Sequence, residues 1–245
     1  MVYQGKHGTP TYDPWIALAA MAMRTERIRL GTLVTPLSRR RPWKVARESV
    51  TIDHLSGGRL VLGVGLGDGN DAAFTDFGET SDLRTRARML DEALEVLAGL
   101  WSGRPFSFEG EFYRVKEITL LPPPLQRPRP PIWVGGIWPR KGAVRRAARW
   151  DGASFYKLPG ETLSDEMTAE DVGALKASIQ AFRKNDAPFD IVIGGNARRG
   201  DWEAERLLIR SAAEAGATWW VEWVPPGEPG AMLQCITCGP LRFDA

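Results

Sequence analysis

The residues able to do chemistry fall in a few short segments. Gly65-Leu66-Gly67-Asp68-Gly69 sets three glycines around one carboxylate. Glycines let a backbone approach a planar ligand, and Asp68 could act as a carboxylate at that ligand's edge. Gly63, Gly65, Gly67 and Gly69 alternate, which is not the Gly-x-Gly-x-x-Gly arrangement of dinucleotide sites. As a bare pattern it equally describes glycines that only turn the chain. Gly135-Gly136-Ile137-Trp138-Pro139-Arg140-Lys141-Gly142 joins a strand to a helix and ends in two cations. Free amides at a helix start suit an anion; the alternative is a solvated basic loop. Ser38-Arg39-Arg40-Arg41-Pro42-Trp43-Lys44 is the most basic stretch and reads as a solvated turn. His54 reads as a structural residue rather than a base. Cys235-Ile236-Thr237-Cys238 has a spacing used for redox and zinc, but zinc needs a second ligand pair, so the motif reads as incidental. With two His and dispersed carboxylates, no metal cluster can be assembled.

The composition narrows the classes. The chain has 245 residues, 43% hydrophobic and 25% charged, which excludes disorder and suits a sizeable core. Against 32 Lys+Arg stand 30 Asp+Glu, and a balance this close argues against a nucleic-acid binder. No apolar run approaches a membrane span, and Met1 to Gly5 lacks the features of a signal peptide. Two thiols make no disulfide framework. These features predict a soluble cytoplasmic globule. The 10 Trp suggest a cleft with flat walls as well as a core.

Elements able to position these segments alternate along the chain. Asp13 caps a helix with Pro14 at its first position, and Arg27 to Val34 reads as a strand. A helix follows from Pro42 to Leu55, stopped at Ser56-Gly57-Gly58, then a strand from Arg59 to Val64. Leu90, Ala93, Leu94 and Leu97 repeat at helical spacing within Leu83 to Trp101. Pro105 to Val115 alternates about Glu109-Gly110 as a hairpin, within an insertion over 105–121, and a proline-rich crossing runs from Leu121 to Pro131. Beyond it come a strand at Pro131 to Gly136, a helix at Gly142 to Trp150 and a strand at Gly152 to Phe155. A helix at Ala169 to Arg183, a strand at Phe189 to Ile193, a helix at Asp201 to Ala215 and a strand at Thr218 to Val224 follow. Trp219 and Trp223 share one face of that last strand and Trp220 takes the other; some could line a substrate pocket, but core and helix packing is the expected role of at least two. Six apolar strands alternating with helices predict an α/β fold with a parallel sheet, most of a (β/α)8 barrel. No composition break divides the chain, so 1–245 reads as one domain, with an irregular start at 1–12 and a C-terminal tail at 225–245.

Several blocks then become specific. Asp13-Pro14-Trp15-Ile16-Ala17-Leu18-Ala19-Ala20, Arg24-Thr25-Glu26-Arg27-Ile28-Arg29-Leu30-Gly31-Thr32 and Asp53-His54-Leu55-Ser56-Gly57-Gly58-Arg59-Leu60-Val61-Leu62-Gly63-Val64-Gly65 occur in order. Together with Pro131 to Gly136 and Arg145 to Gly152, they resemble the bacterial luciferase-like family of flavin-dependent oxidoreductases. The resemblance runs from about Asp13 to Val224.

It implies a luciferase-like TIM barrel that binds FMN, or the deazaflavin coenzyme F420, at the C-terminal strand ends. It places a bulge with a cis non-prolyl peptide near Thr32-Leu33 or Leu33-Val34, against the cofactor ring. Cofactor contacts are then expected at Thr32, Leu33, Val34, Gly65, Leu66 and Gly67. The flavin phosphate is expected at Gly135, Gly136, Ile137 and Lys141, and Asp68 is the candidate catalytic residue. Family members begin with a strand, a helix and a second strand that this sequence does not supply, so about six of eight strands are expected. The catalytic His or Asp often found at the end of that second strand has no counterpart here. Open sheet edges call for cover, so a homo-oligomer is expected. The implied activity is monooxygenation of a small organic substrate by reduced FMN and O2, with a flavin reductase as electron donor. F420-dependent hydride transfer is the alternative, and a catalytically impaired binding or structural subunit is a reading of another class.

Overall fold

The computed structural model describes residues 11–68, 71–158, 166–196, 200–224 and 227–240. Most of the irregular start at 1–12, and residues 225–226 and 241–245 of the tail, lie outside the described residues. Six parallel strands form one sheet in the order β1-β2-β5-β6-β7-β8, and two more form a separate antiparallel pair. The chain divides into two compact units, residues 1–135 and 136–245.

The first unit opens with α1 (Pro14–Arg24), whose N-terminal amides at Trp15 and Ile16 are capped by the Asp13 carboxylate. β1 (Leu30–Pro36) starts three residues later than the alternation predicts. The reason is that the Ile28 carbonyl accepts from the Arg59 side chain, and the ladder begins only where Leu30 N–H donates to Arg59 O. A 3-10 turn (Leu37–Arg39) leads into α2 (Pro42–Leu55), with the bounds predicted from its proline start and Ser-Gly-Gly stop. β2 (Leu60–Gly65) is buried along its whole length, which is why its sequence does not alternate. A short α3 (Ala72–Thr75) precedes α4 (Leu83–Trp101). α4 lays Leu90, Ala93, Leu94 and Leu97 into the core and packs on α2, where Trp101 Nε1 donates to Ser49 Oγ.

β3 (Phe106–Glu109) and β4 (Arg114–Ile118) make the inserted hairpin. Its connection is longer than the expected Glu109-Gly110 turn, because the Glu92 carboxylate on α4 accepts from the amides of Glu111, Phe112 and Tyr113. Burial, with Glu92 and Glu79 nearby, pushes the Tyr113 hydroxyl up to about 12. β5 (Ile132–Ile137) completes this unit's share of the sheet, pairing parallel to β2 at Leu62↔Ile132 and Val64↔Val134.

The second unit carries α5 (Lys141–Ala147), β6 (Gly152–Tyr156), α6 (Ala169–Phe182), β7 (Asp190–Asn196), α7 (Trp202–Ala215), β8 (Trp219–Glu222) and α8 (Pro229–Thr237). α5 is shorter than the predicted Gly142 to Trp150 helix: it is capped at Ala148, and Arg149 and Trp150 bond back in tighter turns. β6 and β7 run parallel with Ala153↔Ile191, and β7 and β8 with Ile193↔Trp220. The core of this unit is aliphatic, with Val172, Leu175, Ile179, Ile191 and Val192 buried.

The last-strand tryptophans are not core. Trp219 is 36% exposed, its indole N–H donating to Asp190, and Trp223 lies beyond the end of β8 at 41% exposure. Among the described residues no helix is long and apolar enough to cross a membrane.

Candidate active site

In the first unit β1, β2 and β5 are mutually parallel, so the strand ends Pro36 and Gly65 lie on the side toward which β5 runs through Gly135. Parallel α/β sheets place their ligands at this side. The β1–β2 register slips between Thr32 and Thr35, and the Leu33–Val34 peptide within the slip is cis. Thr32 Oγ1 donates to Gly63 O at 2.8 Å and Thr35 Oγ1 donates to Thr32 Oγ1 at 2.9 Å, so the irregular stretch is bonded internally and to β2. Leu33, within β1, is 49% exposed.

The alternating glycines meet this stretch one by one. A Cβ on Gly63 would fall 1.9 Å from Thr32 O, one on Gly65 2.8 Å from Val34 Cγ2, and one on Gly67 2.7 Å from Phe74 Cζ. Positions i and i+2 share one face of a strand, so the missing side chains of Gly63 and Gly65 together admit the β1 bulge. Of the glycines expected to make room for a ligand, Gly65 first makes room for β1 and Gly67 for the Phe74 ring. Gly67 also takes a φ of +74°, which turns the chain off β2 into Asp68. Asp68 is exposed, and Gly69 lies outside the described residues.

Beneath this turn lies Arg86, from the first turn of α4. It is completely buried. Its Nη1 donates to Leu66 O at 3.1 Å and weakly to Asp68 O at 3.5 Å. Its guanidinium stands 4.4 Å from the centre of the Phe74 ring, while Nε and Nη2 have no hydrogen-bond partner among the described residues. Burial above all lowers its pKa, with Arg39 pushing the same way and Asp68 and Asp82 opposing. Arg39 also lies over Phe74, at 4.8 Å, and pairs with Asp71 at 3.4 Å. Arg40 pairs with Glu48 and covers Trp15. The basic stretch is thus not a solvated turn at Arg39 and Arg40, whose planar cations stack on aromatic faces. Sequence reasoning missed Arg86, although a charge one turn before Leu90 on an apolar stripe was the available signal.

In the second unit the corner after β5 is held by a carboxylate. Asp171, in the first turn of α6, accepts from Trp138 Nε1 at 3.1 Å on Oδ1. Its Oδ2 takes Lys157 Nζ at 2.5 Å and the backbone N–H and hydroxyl of Thr168. Burial pushes Asp171 up, but the bonds from Lys157 and Thr168 outweigh it and leave the carboxyl below its ordinary range. Trp138 N–H donates to Tyr156 O, and the Trp138–Pro139 peptide is cis. Lys157 sits just past the end of β6 and is 9% exposed. Gly136 gives the corner room: a Cβ there would fall 2.7 Å from both Phe155 Cζ and Ala143 Cβ. Lys141 and Gly142 are exposed at the start of α5. The Thr168-x-x-Asp171 capping box was legible in the sequence, but the Lys157–Asp171 pair had no local signal.

The remaining candidates fall elsewhere. His54 Nε2 bonds the Pro123 carbonyl at 2.9 Å, in the structural role expected of it. Cys235 and Cys238 are free and exposed on α8. No group of three or more metal-ligating side chains gathers among the described residues.

The first unit therefore offers an exposed aliphatic strand end and a glycine turn over a buried cation. The second offers a rigid corner followed by the cations Arg140 and Lys141, which suits an anionic group.

The profile of the luciferase-like monooxygenases matches residues 1–213. An F420-dependent glucose-6-phosphate dehydrogenase of Microbacterium testaceum is 35% identical over 149 residues, which are 60% of this chain and 42% of that protein. The oxygenase component of a flavin-dependent trigonelline monooxygenase of Acinetobacter baylyi is 27% identical over 191 residues, 76% of this chain and 51% of that one. The chain spans about half the length of these relatives. The coenzyme F420-dependent tetrahydromethanopterin reductase of Methanopyrus kandleri shares the fold. It aligns with a TM-score of 0.70 at 17% identity, over 90% of this chain and 85% of that chain.

Proposed function

The chain belongs to the luciferase-like monooxygenase family, and from that premise we propose that it is an oxidoreductase acting through reduced FMN on a small organic substrate. Residues 1–245 act as one domain in this reading. Its fold, an incomplete luciferase-like TIM barrel with six parallel strands, supports it. The observation that carries it is the shared end of β1 and β2, where Leu33 is exposed beside Gly63 and the Gly65–Asp68 turn leaves β2 next to Val34.

Reduced FMN, when bound, supplies the electrons by which dioxygen oxidises a substrate. The chain's own part is to bind, orient and exclude water. Thr32, Leu33 and Val34 present the irregular strand end as an aliphatic support for a ring face. Gly65, Leu66 and Gly67 contact the ring through backbone, and Asp68 holds or moves a proton at its edge. Gly135, Gly136, Ile137 and Lys141 receive the phosphate. Electrons come from a separate flavin reductase, in keeping with the name of the oxygenase component among the relatives. The working assembly is a homo-oligomer.

A second reading, hydride transfer with F420, is favoured by the 35% identical relative, which is named for that coenzyme. Parallel titration of FMN and F420 into the purified chain separates the two. Tighter FMN binding, with oxygen consumption in the presence of a reductase, is expected for the first. Preference for F420 replaces it with the second. Uptake of neither overturns both and leaves a subunit without catalysis.

A further inference from the structure

Position 86 lies one turn before Leu90 and two before Ala93, on the apolar stripe of α4, where a leucine would be ordinary. The arginine there is completely buried. In return it makes one good hydrogen bond, one long one and a contact with the Phe74 ring, while two of its three nitrogens have no hydrogen-bond partner among the described residues. A buried charge with unsatisfied donors costs more than such contacts repay, and apolar replacement of similar volume is often neutral or stabilising. Stability alone does not account for the residue.

Its contacts say what does. Both carbonyls that it bonds, Leu66 and Asp68, belong to the turn that leaves β2. Gly67, between them, packs on the Phe74 ring that the guanidinium covers. Its middle residue is a glycine at positive φ, the Asp71 amide also donates to Asp68 O at 3.3 Å, and the Leu66 carbonyl takes the shorter of the two Arg86 bonds. Arg39 approaches the same ring and pairs with Asp71, so the far side of the turn is held by a second cation.

We propose that Arg86 is a positioning residue, which fixes the Leu66 and Asp68 carbonyls and thereby holds the Gly65–Asp68 turn in the shape that binds the redox cofactor. It acts without touching the cofactor, and the inference rests on the cofactor reading above. It makes Arg86 a residue kept for affinity at the expense of stability.

The test titrates FMN and F420, each followed by its fluorescence, into the full chain as wild type, R86L and R86K, and records thermal unfolding of each. R86L is expected to melt at or above the wild-type temperature. It is expected to bind the wild type's preferred cofactor about tenfold more weakly, the scale of one lost charged hydrogen bond. R86K, which keeps the charge, falls between. Equal affinity in R86L and wild type overturns the proposal. If R86L melts below the wild type or fails to fold, R86K decides: weaker binding at an unchanged melting temperature supports the proposal, and wild-type binding overturns it. A wild-type chain that takes up neither cofactor overturns the proposed function and this inference together. A wild type that binds while R86L matches it overturns this inference alone.

Discussion

Arg59 and Arg86 mark opposite ends of the same strands in the first unit, and they are used in opposite ways. At the N-terminal end all three nitrogens of Arg59 are engaged. Nε reaches Ser56 O, Nη1 reaches Thr25 Oγ1 and Ile28 O, and Nη2 reaches Ala22 O and Thr25 O. Beside it the buried Asp53 carboxylate accepts from the amides of Leu125 and Gln126 and from Gln126 Nε2. At the C-terminal end Arg86 is more deeply buried, and two of its nitrogens find no hydrogen-bond partner among the described residues. One end of the unit is saturated with bonds, while the other keeps polar capacity unspent around a turn. Fully satisfied buried networks rigidify a fold, and unsatisfied buried groups in native proteins need another explanation, often a functional one. The Asp53 to Arg59 block, so specific as a sequence, therefore does structural work. The glycine turn is where ligand chemistry is expected.

The largest expected effect is at the saturated end. D53A leaves two backbone amides and the Gln126 side chain without their acceptor and should lower unfolding free energy by about 3 kcal/mol, read from urea denaturation. R59L should cost about 2 kcal/mol by stranding the carbonyls of Ala22, Thr25 and Ile28, in contrast to the same change at Arg86. A loss at Arg59 no larger than at Arg86 would break the comparison. G67A adds a Cβ at a φ of +74° and 2.7 Å from Phe74 Cζ, so it should cost about 1–2 kcal/mol. Its effect on cofactor affinity should exceed that of D53A measured below the denaturation midpoint.

The smallest effect carries the idea into the second unit. Asp171 titrates below its ordinary value in the folded chain, so its contribution is complete above that value and is lost as pH falls through the folded one. The melting-temperature difference between wild type and D171N should be constant near neutrality and shrink below about pH 4. A difference that grows on acidification would contradict the bonding assigned to the Trp138 corner.

Much of this frame is legible in the residues. The Pro42 start and the Ser56-Gly57-Gly58 stop delimit α2, and the Leu90 to Leu97 spacing defines α4, because both signals are local. β1 is misplaced at its start because its first bond partner is Arg59, which is distant in sequence. The Trp219 and Trp223 alternation misleads for a similar reason: alternation tells which residues share a face, not whether anything covers that face. At the candidate site the glycine row and the basic corner are visible. What fills the space beside the glycines, Val34 and Phe74, is not. Arg86 is signalled only by its place on the apolar stripe of α4, and the Lys157–Asp171 pair escapes notice because its partners are distant in sequence.

Hydrogen–deuterium exchange of the full chain, with and without saturating FMN or F420, tests the central contrast most directly. Protection is expected to rise at 32–36 and 65–68, where the strands end, and to stay unchanged at 53–59, where the bonds are already complete. Protection confined to 53–59, or none at either end under saturating cofactor, would contradict the account.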